Sequence, residues 1–350
     1  MRQQDFENKN FEKYNFKNME KIKQKKEETL KKILISIGVL FLFFIFNLWQ
    51  SGSFSQLNRI VKNPKLQVFT IVSLAILIEG FPFILIGSLI SGTIEVLVSE
   101  DKFKKILPQG KFSSAVFGSF LGFLFPVCSC GEIPVSRRLM KKGIPTPGGI
   151  SYLLATAIIN PITLFSTYLA FSSLKMVFGR FLIAFIVSVF VGILIAPEDK
   201  SEILKEYEEG HKHDENLSKF ERIFIHSGND FLIMGKYLII GATLASLFST
   251  FTSREVFIAI GKNKVLSILS MQILSIILSL CSYADAFVAS SFTYLPDISK
   301  IIFMISGPMM SISLILVYFA AFKEKFVKKL LVSVFLTLFI LGIIGSFLGG

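Results

Sequence analysis

Of 350 residues, 52% are hydrophobic, 13% aromatic and 18% charged, and a mean hydropathy of +0.63 leaves too little polar material to clothe a water-soluble globule. The formal charge of +12 and a pI near 9.5 do not indicate a nucleic-acid partner, because Lys and Arg sit between apolar blocks and form no basic folded surface. Three cysteines, an odd number lying in or beside apolar blocks, exclude a secreted disulfide framework and direct attention to thiol chemistry within a membrane.

Residues 1–32 form a polar, Lys-rich leader, and the apolar block Ile33–Trp49 that follows has no small-residue cleavage site. The pair reads as an uncleaved anchor whose N-terminus is cytoplasmic. Further apolar blocks follow at 66–98, 112–127, 146–173 and 176–196, then a hydrophilic loop at 197–228, then blocks at 229–251, 264–281, 299–321 and 328–348. Most reach the roughly 20 residues that cross a hydrocarbon core as a helix. Their Phe, Leu and Ile run continuously, without the alternation of an outer-membrane strand. Blocks 112–127 and 264–281 are short and run straight into Cys-, Gly-, Pro- or Asp-containing sequence.

Three internal matches occur in the same order. PFILIGSLIS (82–91) resembles KYLIIGATLA (236–245), with Gly87 on Gly241 at an offset of 154. CSCGEIPV (128–135) resembles CSYADAFV (281–288), with Cys128 on Cys281 and Glu132 on Asp285 at an offset of 153, and Asn160-Pro161 corresponds to Gly307-Pro308 at an offset of 147. Such order indicates duplication. If the two short blocks turn back as re-entrant hairpins, 27 Lys and Arg fall on the cytoplasmic side against 9 outside; full crossings reduce this to 23 against 13. Hairpins therefore fit the charge asymmetry better. Three crossings per half then force the second half to be inverted. The expected fold is an all-α, polytopic helical membrane protein of two inverted repeats, 66–196 and 229–350, each with three crossings and a re-entrant hairpin. The charged linker 197–228 joins them, and an extra N-terminal helix and loop, 33–65, precede them.

The segment Phe125–Pro134 cannot be one continuous helix, because Pro126 and Pro134 lack an N–H and Gly131 weakens what lies between. Broken backbone at membrane depth is tolerated where protein or a water-filled cavity satisfies it, so the break points to a solute pathway. In an unwound stretch Cys128 and Cys130 project to one side, and Cys281 of the second hairpin can complete a three-sulfur site for a soft centre such as Cu(I), Zn(II) or trivalent arsenic. The alternative is that each is a small buried hydrophobe. Glu132 and Asp285 are acids near membrane depth that either carry protons or cap the half-helices that follow. Glu79, 13 residues into its block beside Gly80 and Pro82, is the stronger outlier for proton coupling or cavity polarity. Lys236 either snorkels to the interface or pairs with Glu79. Asn160-Pro161 and Gly307-Pro308 interrupt their helices, either as simple kinks or to line the same cavity, where the Asn160 amide would meet substrate. Arg137, Arg138, Lys141 and Lys142 mark the cytoplasmic end of the first hairpin, with anion attraction as the alternative, and His211-Lys212-His213 belongs to a solvated linker.

The string PVCSCGEIPVSRRLMKKGIPTPGGISYLLATAIINPITLFSTYLAF (126–171) resembles the signature of the predicted-permease family that includes the organoarsenical efflux (ArsP-type) permeases. SLCSYADAFVASSF (279–292) and Gly307-Pro308-Met309 are similar to that family's second signature, and the resemblance covers about 66 to 321. It implies an inner-membrane permease, in some members exporting trivalent methylated or aromatic arsenicals, with the paired-cysteine segment as the soft-ligand site. Cys128, Cys130 and Cys281 match cysteine positions of such members. Ala157, Tyr283, Ser311 and Ser313 depart from the pattern, where Pro, an acid and a charged pair are common. The combined expectation is a non-enzymatic permease of the cell membrane moving a small soft or thiol-reactive solute, with a proton gradient as driver. Its partners are the bilayer and a small-molecule or metalloid substrate, with no cofactor and no nucleic acid, and its oligomeric state is not legible. No phosphate-binding loop occurs. The rivals are a membrane thiol oxidoreductase using Cys128 and Cys130, and a non-catalytic membrane subunit of a complex.

Overall fold

The apolar blocks fold as helices whose ends fall where capping chemistry permits. The computed structural model describes residues 64–98, 107–124, 127, 129–205, 218–252 and 263–348, within one compact unit, Asn63–Gly350. The leader, the apolar block Ile33–Trp49, Cys128 and the His211–His213 cluster lie outside the described residues. In the first half, α1 is Pro64–Leu97, α2 Lys111–Leu124, α3 Glu132–Lys141, α4 Thr146–Ile159, α5 Pro161–Phe171 and α6 Leu174–Ile195. In the second, α7 is Lys219–Phe251, α8 Lys264–Leu278, α9 Ala284–Ser290, α10 Asp297–Met310, α11 Ile312–Ala321 and α12 Glu324–Leu348. No β-strand forms among the described residues; the nearest approach is an isolated bridge between Leu204 and Phe322.

Six segments are long and apolar enough to cross a membrane: α1, α4 with α5, α6, α7, α10 with α11, and α12. The chain is thus an all-α polytopic membrane protein. Helices α2 and α8, of 14 and 15 residues, are apolar but reach only about 21–23 Å at 1.5 Å per residue, short of a core of about 30 Å. Helix α7 starts at Lys219, ten residues before the apolar block, because Ser218 and Glu221 form a capping box that nucleates a polar first turn.

Burial ranks the helices. Every residue of α4 is buried, as is every residue of α10 from Ser299 to Met310, so these two form the centre. Helices α2 and α6 pack on α4, α8 and α12 pack on α10, and α1 lies along α7. Close approach is permitted by glycine where backbone meets backbone: Gly118 faces the Gly148 carbonyl, Gly87 the Gly131 carbonyl, and Gly241 the backbone of Ser313.

The helix ends sort to two sides. On the side of residues 197–205, Thr146 bonds the Pro197 carbonyl, Lys142 bonds the Glu95 carbonyl, Lys111 pairs with Glu198, and Lys323 N–H bonds the Ile203 carbonyl. Both ends of the α2–α3 hairpin are therefore on this side. On the other, Ser267 bonds Ser299, Gly345 packs on Ile298, and Gly179 on Ile301. The α8–α9 hairpin starts and ends there.

Helices α4 and α10 are built alike. Each has 14 residues; each follows a proline cap, Pro145 at φ −55°, ψ 147° and Pro296 at −56°, 145°. Each ends at an extended residue, Asn160 at −68°, 152° and Ser311 at −60°, 152°. This corrects one expectation, because the second break falls at Ser311 and not at Gly307-Pro308. Pro308 sits in the last turn of α10, and the carbonyl its missing N–H leaves free, that of Met304, accepts from Arg180 Nη2 at 3.0 Å. With that acceptor satisfied at membrane depth, the helix has no reason to open at the proline.

Candidate functional site

The interrupted segments converge. The Ser129-Cys130 turn ahead of α3, the Ser279–Cys281 turn ahead of α9 and the Ser311–Leu314 junction between α10 and α11 meet the middle of α1 at Ile76, Glu79 and Gly80. Each contributor follows from its local sequence. Proline and glycine prevent α2 from running on into α3, Ser279 takes a left-handed conformation (φ 48°) that ends α8, and Ser311 ends α10. The Gly87–Gly131 approach draws the first hairpin tip against α1, and Phe83 pairs with Tyr283 across to the second tip at 6.5 Å between ring centroids.

The space between them is about 30 Å³, room for roughly one water molecule. Its lining carries one carboxyl, two thiols and four hydroxyls beside Ile76, Gly80, Leu280 and Leu314. The Cys281 thiol hydrogen-bonds the Glu79 carboxyl and accepts from Tyr283 N–H at 3.5 Å. The structure therefore brings together Glu79, Cys130 and Cys281. Lys236 is exposed, and no ion pair joins it to Glu79 among the described residues.

The remaining expected site residues are placed elsewhere. Glu132 is buried at the first turn of α3, where the helix N-terminus favours a carboxylate. Asn160 is fully buried, and both ends of its amide are engaged locally. Its Oδ1 accepts from Thr163 N–H at 2.9 Å, and its Nδ2 donates to the Thr156 carbonyl at 2.9 Å. It works as the N-cap of α5.

Asp285 sits in the first turn of α9, one turn beyond Cys281, and is held by a residue that the charge count assigns to an outside loop. Arg180 of α6 is fully buried and donates to both Asp285 oxygens, Nη1 to Oδ1 at 3.0 Å and Nη2 to Oδ2 at 2.8 Å. It also donates to the Thr167 hydroxyl and to the Ser282 and Met304 carbonyls. The signal was available, since an Arg inside an apolar block is as much an outlier as Glu79.

A second buried network ties the first hairpin to its neighbours. Arg138 of α3 pairs with Glu95 of α1 at 2.9 Å and with Asp230 of α7 at 3.4 Å, while Ser91 donates to Asp230 at 2.8 Å. Lys142 pairs with Glu95 at 3.4 Å, and Arg137 donates to the Lys205 carbonyl. The basic cluster of the first hairpin is thus internal, and each hairpin is held to the other half of the chain by an ion pair: Arg138–Asp230 on one side and Arg180–Asp285 on the other.

Six spanning segments around two short broken hairpins, whose tips meet a third helix break at one small cavity, fit a membrane permease. Residues 65–347 match the family described as "Predicted permease", and the chain belongs to this ArsP-type permease family. Among curated relatives, UPF0718 protein YcgR of Bacillus subtilis is 41% identical over 286 residues, 80% of this chain and 93% of the relative. The "Putative two-component membrane permease complex subunit" of Streptococcus mutans is 37% identical over 265 residues, 74% of this chain and 88% of the relative. UPF0718 protein YraQ of Escherichia coli is 21% identical over 108 residues, 30% of this chain and 31% of the relative. No solved structure matches.

Proposed function

We propose that this permease moves a small soft or thiol-reactive solute, such as a trivalent organoarsenical, out across the cell membrane. The observation that carries this reading is the convergence of Glu79, Cys130 and Cys281 on one cavity at the tips of both hairpins. Thiols suit soft centres, and Cys128, two residues before Cys130, is the third sulfur of the proposed site. Glu79, hydrogen-bonded to Cys281, is the group best placed to exchange a proton as solute binds or leaves. Glu132 and Asp285 supply polarity around the tips, and Asn160 belongs to the scaffold of the site. No step of this scheme needs bond chemistry by the protein, in keeping with a transporter and not an enzyme.

The two halves, 66–196 and 229–350, work as inverted repeats on either side of the charged linker 197–228, with the leader and extra helix ahead of them and the N-terminus cytoplasmic. Support comes from the matched construction of α4 and α10 and from hairpins that return to opposite sides. It comes also from reciprocal packing, α3 on α11 and α9 on α5. Alternating access then consists of loosening one hairpin's ion pair while the other's holds.

The test is uptake into everted vesicles of a trivalent organoarsenical and of Cu(I), with and without a proton gradient. The wild type is compared with Cys128→Ser, Cys130→Ser, Cys281→Ser and Glu79→Gln. Loss in the serine variants and loss of gradient dependence in Glu79→Gln are expected; equal transport by all four removes the soft-ligand site. The name of the Streptococcus relative favours a second reading, a membrane subunit that works with another protein. Purified chain that binds solute but transports only in crude membranes would select it.

A further inference from the structure

Away from the hairpin tips lies a larger cavity of about 480 Å³, within the range of ligand pockets, between α1, the α2–α3 hairpin and Tyr152 of α4. Helix α1 contributes Ile90, Thr93 and Ile94, α2 contributes Phe117 and Leu121, and α3 contributes Val135 and Leu139 at the back. The cavity exists because α1 and α2 make little direct contact, whereas α7 and α8, the pair in the same order in the second half, pack together. Its lining is almost wholly apolar, so water finds too few hydrogen-bond partners to fill it. Left empty, its walls would lose dispersion contacts over the whole surface.

The neighbouring surface says what fills it. Within a helical turn of the lining residues, Ile86 and Leu97 on α1 and Phe120 and Leu124 on α2 are exposed apolar side chains, which we take as its rim. Exposed apolar side chains on the helices of a membrane protein face lipid hydrocarbon. We propose that this cavity is a binding site for one acyl chain of a bilayer phospholipid, entering between α1 and α2 and lying against α3 up to Tyr152. Transfer from lipid to an apolar cavity has no hydrophobic driving force, so occupancy rests on close packing and on the abundance of chains in the bilayer. The chain takes the place of a helix–helix contact and braces the hairpin whose tip carries Cys130.

The site is independent of which solute is transported, and its test does not use transport. The full-length protein is reconstituted into nanodiscs containing phosphatidylcholine with a photoactivatable diazirine midway along one acyl chain, and adducts are mapped by mass spectrometry after illumination. Annular lipid reaches Ile86, Leu97, Phe120 and Leu124; only an inserted chain reaches the buried Val135, Leu139 and Tyr152. Adducts on these three are expected, and Ile90→Phe with Leu121→Phe, which fill the mouth, should lower them about tenfold, the change given by 1.4 kcal/mol of lost contact, while rim adducts persist. Adducts confined to the rim, or interior adducts unchanged in the filled variant, overturn the proposal. The wild-type map decides even if the filled variant fails to fold.

Discussion

Removing both partners of the Arg180–Asp285 pair should cost less than the sum of the losses on removing each alone. Arg180 has no exposed surface and donates five hydrogen bonds, two of them to Asp285. In Asp285→Asn the guanidinium cannot lose its proton and keeps only neutral acceptors, so a loss of about 3–5 kcal/mol is expected, the range for an uncompensated buried charge. In Arg180→Met the carboxyl can take up a proton, but the Ser282 and Met304 carbonyls are orphaned at about 1–3 kcal/mol each, giving a loss of similar size. Arg180→Met with Asp285→Leu removes both charges and leaves the orphaned carbonyls. It should be at least about 2 kcal/mol more stable than the sum of the single losses. Unfolding in mixed micelles with increasing SDS, followed by circular dichroism, measures all three. Additive losses, or a single-variant loss under about 1 kcal/mol, the range of a solvent-exposed pair, would refute the assignment of a buried ion pair.

Gly87→Ala should destabilise by about 1–3 kcal/mol and misplace the first hairpin tip, because a Cβ there overlaps the Gly131 carbonyl; altered labelling of Cys130 by a maleimide checks it. Asn160→Ala should lose about 0.5–2 kcal/mol of stability with its α5 cap, while solute affinity in surviving protein is unchanged. A drop in affinity at wild-type stability would return Asn160 to the binding site. Asp230→Asn should cost about 3 kcal/mol by leaving Arg138 under-compensated, and raising salt to about 0.5 M should not reproduce the loss, since buried pairs are poorly screened.

The architecture was legible because the bilayer imposes a coarse ruler. Apolar block lengths separated six spans from two short helices, and proline, glycine and cysteine marked the hairpin tip. The match of CSCGEIPV with CSYADAFV set Cys128, outside the described residues, on Cys281; Cys130 and Cys281 both lie in turns ahead of a helix, and Glu79 stood out by depth alone. What stayed hidden depended on partners distant in the chain. Nothing in the sequence ties Arg180 to Asp285, 105 residues on. Pro308 looked like a break because its freed carbonyl had no visible donor. Asn160 beside a proline is equally consistent with a cap or a ligand, and only the Thr163 and Thr156 contacts separate the two. The apolar cavity had no signature at all, since it arises from a contact that two helices fail to make.

The partners of Arg180 also bear on how the protein is made. Apart from Thr167, every acceptor of its guanidinium belongs to the second half, beginning with Ser282, 102 residues downstream. At about 5–20 residues per second of synthesis, α6 reaches the insertion machinery roughly 5–20 s before those acceptors exist. During that interval it carries an arginine whose apparent insertion cost is about 2.5–3.5 kcal/mol. The 22-residue apolar span around it can bear that cost, but any mutation thinning the hydrophobicity of α6 should appear first as failed biogenesis and only secondarily as lost stability of the finished protein.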